Sequence, residues 1–266
     1  MRYTLILLFT FCLVFIEQNF LEAKLIKKDI LYRVENKSFK GYVVYDDSFT
    51  SKRPGVLVVH EWWGHNDYAR KRTEMLAKLG YVAMALDMYG NGKKASHPKD
   101  AKKFMTEVMK NMDQAVPRFT EALKVLKEHP YADKDKIAAI GYCFGGGIVL
   151  NMARRGFPLK GVVSFHGSLA TKTRAKKGDV KAAILVCHGA KDSFVSKQEL
   201  LSFEKEMKEA EVDLTFKMYK NAKHSFTNPK ANTFAKKFNM PGLKYDPRAD
   251  RKSWADMKSF FRRIFE

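Results

Sequence analysis

The stretch Ile137-Ala138-Ala139-Ile140-Gly141-Tyr142-Cys143-Phe144-Gly145-Gly146-Gly147 decides how this chain is read. An apolar run of strand length ends on a glycine, turns through a cysteine, and reopens as the helical stretch Gly146 to Arg154. A strand-turn-helix of this kind lifts the residue at its apex above the carboxyl edge of a sheet. Glycines on both sides of the apex suit it, because the turn brings backbone segments together where a Cβ would clash. Cys143 then stands at the amino end of a helix, where free N–H groups and aligned peptide dipoles favour a thiolate.

Outward from this turn, strand-length apolar runs alternate with helix-length amphipathic stretches. The strands expected are Gly41 to Tyr45, Val56 to His60, Val82 to Leu86, Ile137 to Gly141, Gly161 to Phe165, Ile184 to His188 and Leu214 to Tyr219. The helices expected are Tyr68 to Leu79, Pro98 to Met109, Val116 to Lys127, Gly146 to Arg154, Lys197 to Glu209 and Ala249 to Phe261. Pro98 and Pro117 fall near helix starts, where proline is tolerated. Alternation of this kind predicts an α/β fold with a mostly parallel central sheet and helices on both faces. No internal repeat or long linker interrupts it, so residues 24–266 read as one domain.

Residues 1–23 stand apart. Met1 and Arg2 precede an apolar run from Tyr3 to Ile16, and a polar stretch leads to the small residue Ala23, the layout of a secretory signal. The run falls short of the roughly 20 residues a membrane span needs, so no stable insertion is expected once it is removed. The reading implies an exported protein, periplasmic or secreted. Loss of Cys12 with the leader leaves Cys143 and Cys187, which do not make a disulfide framework, and both are expected to be reduced.

The 266 residues carry 49 Lys and Arg against 29 Asp and Glu, a formal charge of +20. Such an excess can bind phosphate backbones without sequence preference. Here the lysines are scattered, with no zinc-finger spacing, RNP-like segment or compact basic helix. The charge reads as a solvated basic surface, and no specific nucleic acid is expected.

A thiol nucleophile needs a base and a group to orient that base. In the α/β-hydrolase arrangement they follow in the order nucleophile, acid, histidine. Asp192 lies in His188-Gly189-Ala190-Lys191-Asp192, just past one expected strand, and His224 in Lys223-His224-Ser225-Phe226, just past another. Both fall at carboxyl ends of strands, the edge where ligands collect in open α/β sheets. His224 would polarise the thiol or hold a thiolate, and Asp192 would fix the imidazole tautomer. His60-Glu61 opens like a zinc-protease motif, but Gly64 stands where its second histidine belongs, so neither metal nor cofactor is expected. His65, His166 and His188 read as supporting or structural histidines.

From about Lys40 to Phe261 the chain resembles the dienelactone hydrolase family. The resemblance runs through His60-Glu61-Trp62-Trp63-Gly64, Asp87-Met88-Tyr89-Gly90, the cysteine turn, His188-Gly189-Ala190-Lys191-Asp192 and His224-Ser225-Phe226. It implies that the Glu61 carboxylate contacts Cys143 and helps control its protonation when substrate arrives. It also implies an oxyanion hole from the backbone N–H groups of Trp62 and Phe144, with Trp62, Trp63 and Tyr89 near the substrate pocket. One position of the family's paired-arginine carboxylate clamp falls at Asn228, and the other in the variable stretch after Gly90. The clamp is incomplete, so a neutral or differently anchored small ester or lactone is expected.

The expected chemistry is acyl transfer to Cys143, then hydrolysis of the thioester. An acyltransferase would use the same residues. A non-catalytic envelope protein would instead bind anionic polymers through the basic surface in a salt-dependent way. Oligomeric state is not encoded in any motif, and a monomer is the expectation.

Overall fold

The computed structural model describes residues 24–266, so the expected leader and Cys12 lie outside the described residues. Eight strands follow in chain order: β1 (Leu25–Val34), β2 (Lys37–Asp46), β3 (Arg53–Val59), β4 (Val82–Leu86), β5 (Ala132–Tyr142), β6 (Gly161–Phe165), β7 (Ala183–Gly189) and β8 (Leu214–Tyr219). The described helices are α1 (Asp67–Ala77), α2 (Pro98–Lys110), α3 (Met112–Lys127), α4 (Phe144–Arg154), α5 (Lys197–Glu209), α6 (Ala231–Lys237) and α7 (Pro247–Phe265).

Residues in the central strands are apolar on both sides, which only a sheet covered on both faces can satisfy. Val56 and Val58 of β3 enter one buried layer, with Leu76 of α1 and Phe261 of α7. Leu57 and Val59 enter the other, with Phe119 of α3, Ile148 of α4 and Phe203 of α5. The sheet order is β1-β2-β4-β3-β5-β6-β7-β8. From β4 to β8 all neighbours are parallel, and β1 and β2 form an antiparallel edge. Strands β3 and β5 lie side by side at the centre, so the loop after β3 and the turn after β5 meet at the same carboxyl edge.

Two elements differ from the sequence reading, and several boundaries do, those of β5 and α3 among them. Strand β1 carries Lys27, Lys28, Asp29 and Arg33, and as an edge strand paired only with β2 its charges hide the apolar alternation. Helix α6 has seven residues and no side-chain cap, too short to show a period. Strand β5 starts at Ala132, through a charged segment that continues pairing beside Arg53 and Pro54. Helix α3 starts at Met112, so Pro117 lies inside it rather than at its start.

Helix α4, which begins at the cysteine turn, is fixed at its far end by a buried ion pair. Arg154 donates from Nε to Glu206 Oε1 at 2.8 Å and from Nη2 to Glu206 Oε2 at 3.0 Å. Glu206 Oε1 also accepts the N–H of Ala175 at 2.8 Å, and Arg154 Nη2 donates to the carbonyl of Leu169 at 2.9 Å. Removing one partner strands the other charge in a buried site. Glu206→Ala should therefore lower the unfolding free energy by about 3–5 kcal/mol, as read by urea denaturation. A change near zero would contradict this role.

Candidate active site

The cysteine turn is built by contact between backbones. A Cβ on Gly141 would lie 2.0 Å from the carbonyl oxygen of Gly145, and one on Gly145 would lie 2.3 Å from that of Val59. Glycine at both positions lets β5, the turn and β3 close on each other. Cys143 takes φ 53° and ψ −116°, a strained conformation for a residue with a side chain. Its backbone N–H holds the turn in place by donating to the carbonyl of Phe165 at 3.0 Å and to His166 Nδ1 at 3.2 Å.

The thiol, imidazole and carboxylate named from the sequence are brought into line. His224 Nε2 lies 3.1 Å from Cys143 Sγ, and His224 Nδ1 lies 2.8 Å from Asp192 Oδ2. The other oxygen of Asp192 accepts the N–H of Phe194 at 2.9 Å, which orients the carboxylate. Asp192 is a pure acceptor when ionised, so the ring proton on Nδ1 belongs to that bond and Nε2 faces the sulfur. Burial opposes charge on His224, but its interaction with neighbouring Cys143 and the bond to Asp192 outweigh it and push the imidazole up to about 10. Phe194, half-exposed, lays its ring 4.7 Å from that of His224.

Glu61 is held by two side chains of the His224 loop. It is buried and near His224, but it has no hydrogen bond to Cys143. Ser225 Oγ donates to Oε1 at 3.2 Å and Asn228 Nδ2 donates to Oε2 at 2.6 Å. The Asn228 oxygen accepts the N–H of Lys230 at 2.9 Å, which settles the orientation of its amide. Asn228 is thus committed to Glu61 and does not face a substrate. Burial pushes the Glu61 carboxyl up, and the Asn228 bond, the charge on His224 and the Ser225 bond pull it back only in part.

The backbone N–H groups of Trp62 and Phe144 have no protein acceptor among the described residues, and both residues line the cavity above Cys143. That cavity measures about 370 Å³ and has an apolar wall that includes Trp62, Met105, Met109, Phe144, Val195 and Leu243. Lys102 is its one lysine or arginine. Trp63 and Tyr89 are not in the wall. Trp63 is buried and packs its ring 4.6 Å from Phe234 of α6, a helix the sequence did not reveal. Tyr89 donates its hydroxyl to the carbonyl of Trp62 at 3.0 Å and so braces the loop from behind.

Sequence reasoning missed the parts played by Ser225 and Thr227, and gave His166 no particular role. Their only marker is position: Ser225 and Thr227 lie one and three residues beyond His224, and His166 follows the strand beside the cysteine turn. Cys187 is buried under Tyr219, whose hydroxyl donates to its sulfur at 3.4 Å, and both described cysteines are free. Among the described residues no three His, Cys, Asp or Glu side chains converge as a metal site requires. No described helix is long and apolar enough to cross a membrane.

A mostly parallel sheet, a strained turn at the head of α4, and an acid and a histidine at later strand ends together define an α/β-hydrolase fold. The model of the dienelactone hydrolase family matches residues 39–265, and the chain belongs to that family. Protein usf of Aquifex pyrophilus is 32% identical over 215 residues, 79% of this chain and 87% of that protein. Carboxymethylenebutenolidase of Pseudomonas putida is more distant, 26% identical over 148 residues, 53% of this chain and 62% of that protein. A dienelactone hydrolase-like promiscuous phosphotriesterase from metagenomic libraries superimposes with a TM-score of 0.86 at 33% identity. The match covers 92% of this chain and 100% of that one. The protein is an ester-hydrolysing enzyme for small esters or lactones.

The elevated His224 keeps its proton until well above neutrality, so its positive charge stands 3.1 Å from the Cys143 sulfur at neutral pH. Taking that charge away in His224→Ala should lower the rate of Cys143 alkylation by iodoacetamide about tenfold at pH 6 and change the pH profile of the reaction. Superimposable profiles for the two proteins would rule out an influence of the imidazolium on the sulfur.

Proposed function

We propose that the enzyme hydrolyses small neutral esters or lactones with Cys143 as nucleophile, through an acyl-thioester. The observation that carries this is the 3.1 Å approach of His224 Nε2 to Cys143 Sγ on a turn that points the sulfur into an apolar cavity. The thiolate attacks the carbonyl carbon, and the C–S bond forms as the carbonyl pair moves to oxygen. The N–H groups of Trp62 and Phe144 are placed to receive that oxyanion. As the pair returns, the bond to the alcohol oxygen breaks and imidazolium His224 hands its proton to the leaving alkoxide. Neutral His224 then takes a proton from water, the hydroxide attacks the thioester, and the acid leaves as Cys143 returns to thiolate. Asp192 holds the ring in one tautomer throughout and stabilises its charge.

The cavity lining supports a neutral substrate. A carboxylate entering it would lose its hydration and meet, besides the catalytic His224, only the exposed lysine Lys102, whereas an uncharged acyl group has no charge to desolvate. Three methionines, Met105, Met109 and Met240, give the wall an adaptable surface. The metagenomic relative's phosphotriesterase activity makes neutral phosphotriesters a second class worth assaying, since they too carry no charge into the pocket.

Cys143→Ala should lower kcat/KM on a chromogenic butyrate ester by at least about a thousandfold while leaving the thermal unfolding midpoint near that of the parent. A folded Cys143→Ala enzyme with parental turnover would refute the nucleophile.

A further inference from the structure

We infer that His166 is a positioning residue, a strut that ties the turn carrying Cys143 to the loop carrying His224 and so sets the distance between sulfur and imidazole. The inference rests on the proposed roles of those two residues, and it stands on hydrogen bonds that neither role requires.

His166 follows β6, the strand next to the one that ends at the cysteine turn. Its Nδ1 receives the backbone N–H of Cys143 at 3.2 Å. A backbone N–H can only donate, so Nδ1 is bare and the ring proton of the neutral imidazole sits on Nε2. Nε2 then donates to Thr227 Oγ1 at 2.7 Å. Thr227 belongs to the His224 loop, three residues on. One ring therefore spans the two segments that must be in register for the sulfur to meet the base.

The far end of the strut is anchored. Arg72 of α1 donates from Nη2 to the carbonyl of Thr227 and to Asp250 Oδ1 of α7, each at 2.5 Å. Tyr68 places its hydroxyl 2.6 Å from Thr227 Oγ1 and accepts from Arg72 Nε at 3.2 Å. Arg72, Thr227 and His166 are buried and Tyr68 is partly so, which shields most of the chain from α1 and α7 to the nucleophile turn from water, and such bonds are strongest out of water. His166 also takes φ 41°, a backbone that residues other than glycine adopt rarely.

The same ring lies edge-on to His224 with centroids 5.2 Å apart. A second positive charge there would oppose the imidazolium. Burial, reinforced by the charge on His224, holds His166 well below the ordinary histidine range, which keeps it neutral and keeps Nδ1 free to accept. Phe or Leu in its place would cut both bonds, leaving the Cys143 N–H only the Phe165 carbonyl and the Thr227 hydroxyl only Tyr68, with nothing joining the two segments.

The test compares His166→Phe, His166→Gln and Thr227→Val with the parent, by ester kinetics, by the pH profile of Cys143 alkylation with iodoacetamide, and by thermal unfolding. His166→Phe should lower kcat by about ten- to a hundredfold with KM changed less than about threefold, as a misplaced base does. Its alkylation profile should also move toward the one given by His224→Ala. Thr227→Val should move the profile the same way by less, and His166→Gln, whose amide can accept from one side and donate to the other, should restore part of both. A His166→Phe protein with parental kcat and profile would overturn the strut, and so would lost turnover with an unmoved profile, which signals general loosening. Should His166→Phe not fold, an unmoved profile in Thr227→Val would overturn it alone. Absence of ester turnover in the parent would count against the proposed reaction and leave the alkylation result standing.

Discussion

The closest constraint in the molecule is the approach of the Gly141 and Gly145 backbones to each other and to Val59, with only hydrogen atoms between them. It forces Cys143 into a positive φ and puts its sulfur at the head of α4 rather than in the sheet. Everything functional is referred to that turn. The central position of β3 and β5 brings the Glu61–Trp62 loop to it, and the loops after β7 and β8 bring Asp192 and His224. The Arg154–Glu206 pair keeps the other end of α4 from drifting, so the geometry is fixed from both ends of one helix.

Electrostatics then decides what this geometry can do. His224 lies between the Cys143 sulfur and the Asp192 carboxylate, and these two neighbours overcome the burial that would otherwise strip its proton. A third acid, Glu61, is close enough to feel His224 but is held by Ser225 and Asn228. That arrangement keeps a second carboxylate off the sulfur, where it would raise the cost of thiolate. It also consumes the one side chain, Asn228, at the position where the family resemblance places a carboxylate-binding arginine. This inward turn of Asn228, together with the apolar wall, is what the proposed neutral substrate rests on.

Much of this was legible in the sequence because the turn is dictated locally. Two glycines around a cysteine between an apolar strand and an apolar helix leave few alternatives, and the acid and histidine follow strands whose apolar runs are plain. The central strands were readable for the same reason: covered on both faces, they are apolar throughout. What escaped were features defined by contact across the chain. Edge strand β1 is polar enough to pass for a loop, and α6 is too short to show a period, so the burial of Trp63 beneath Phe234 could not be foreseen. The partners of Glu61 and the His166–Thr227 bond join segments more than 60 residues apart, and no local pattern announces them.

The central claim is that the sulfur on this turn becomes covalently acylated during turnover. The direct measurement is acid quenching of the enzyme with a slowly hydrolysed ester, followed by intact and peptide mass spectrometry. The account predicts one acyl group on the peptide containing Cys143, sensitive to hydroxylamine and absent from Cys143→Ala. An acyl group found on another lining residue such as Ser168, with Cys143 unmodified, would contradict it.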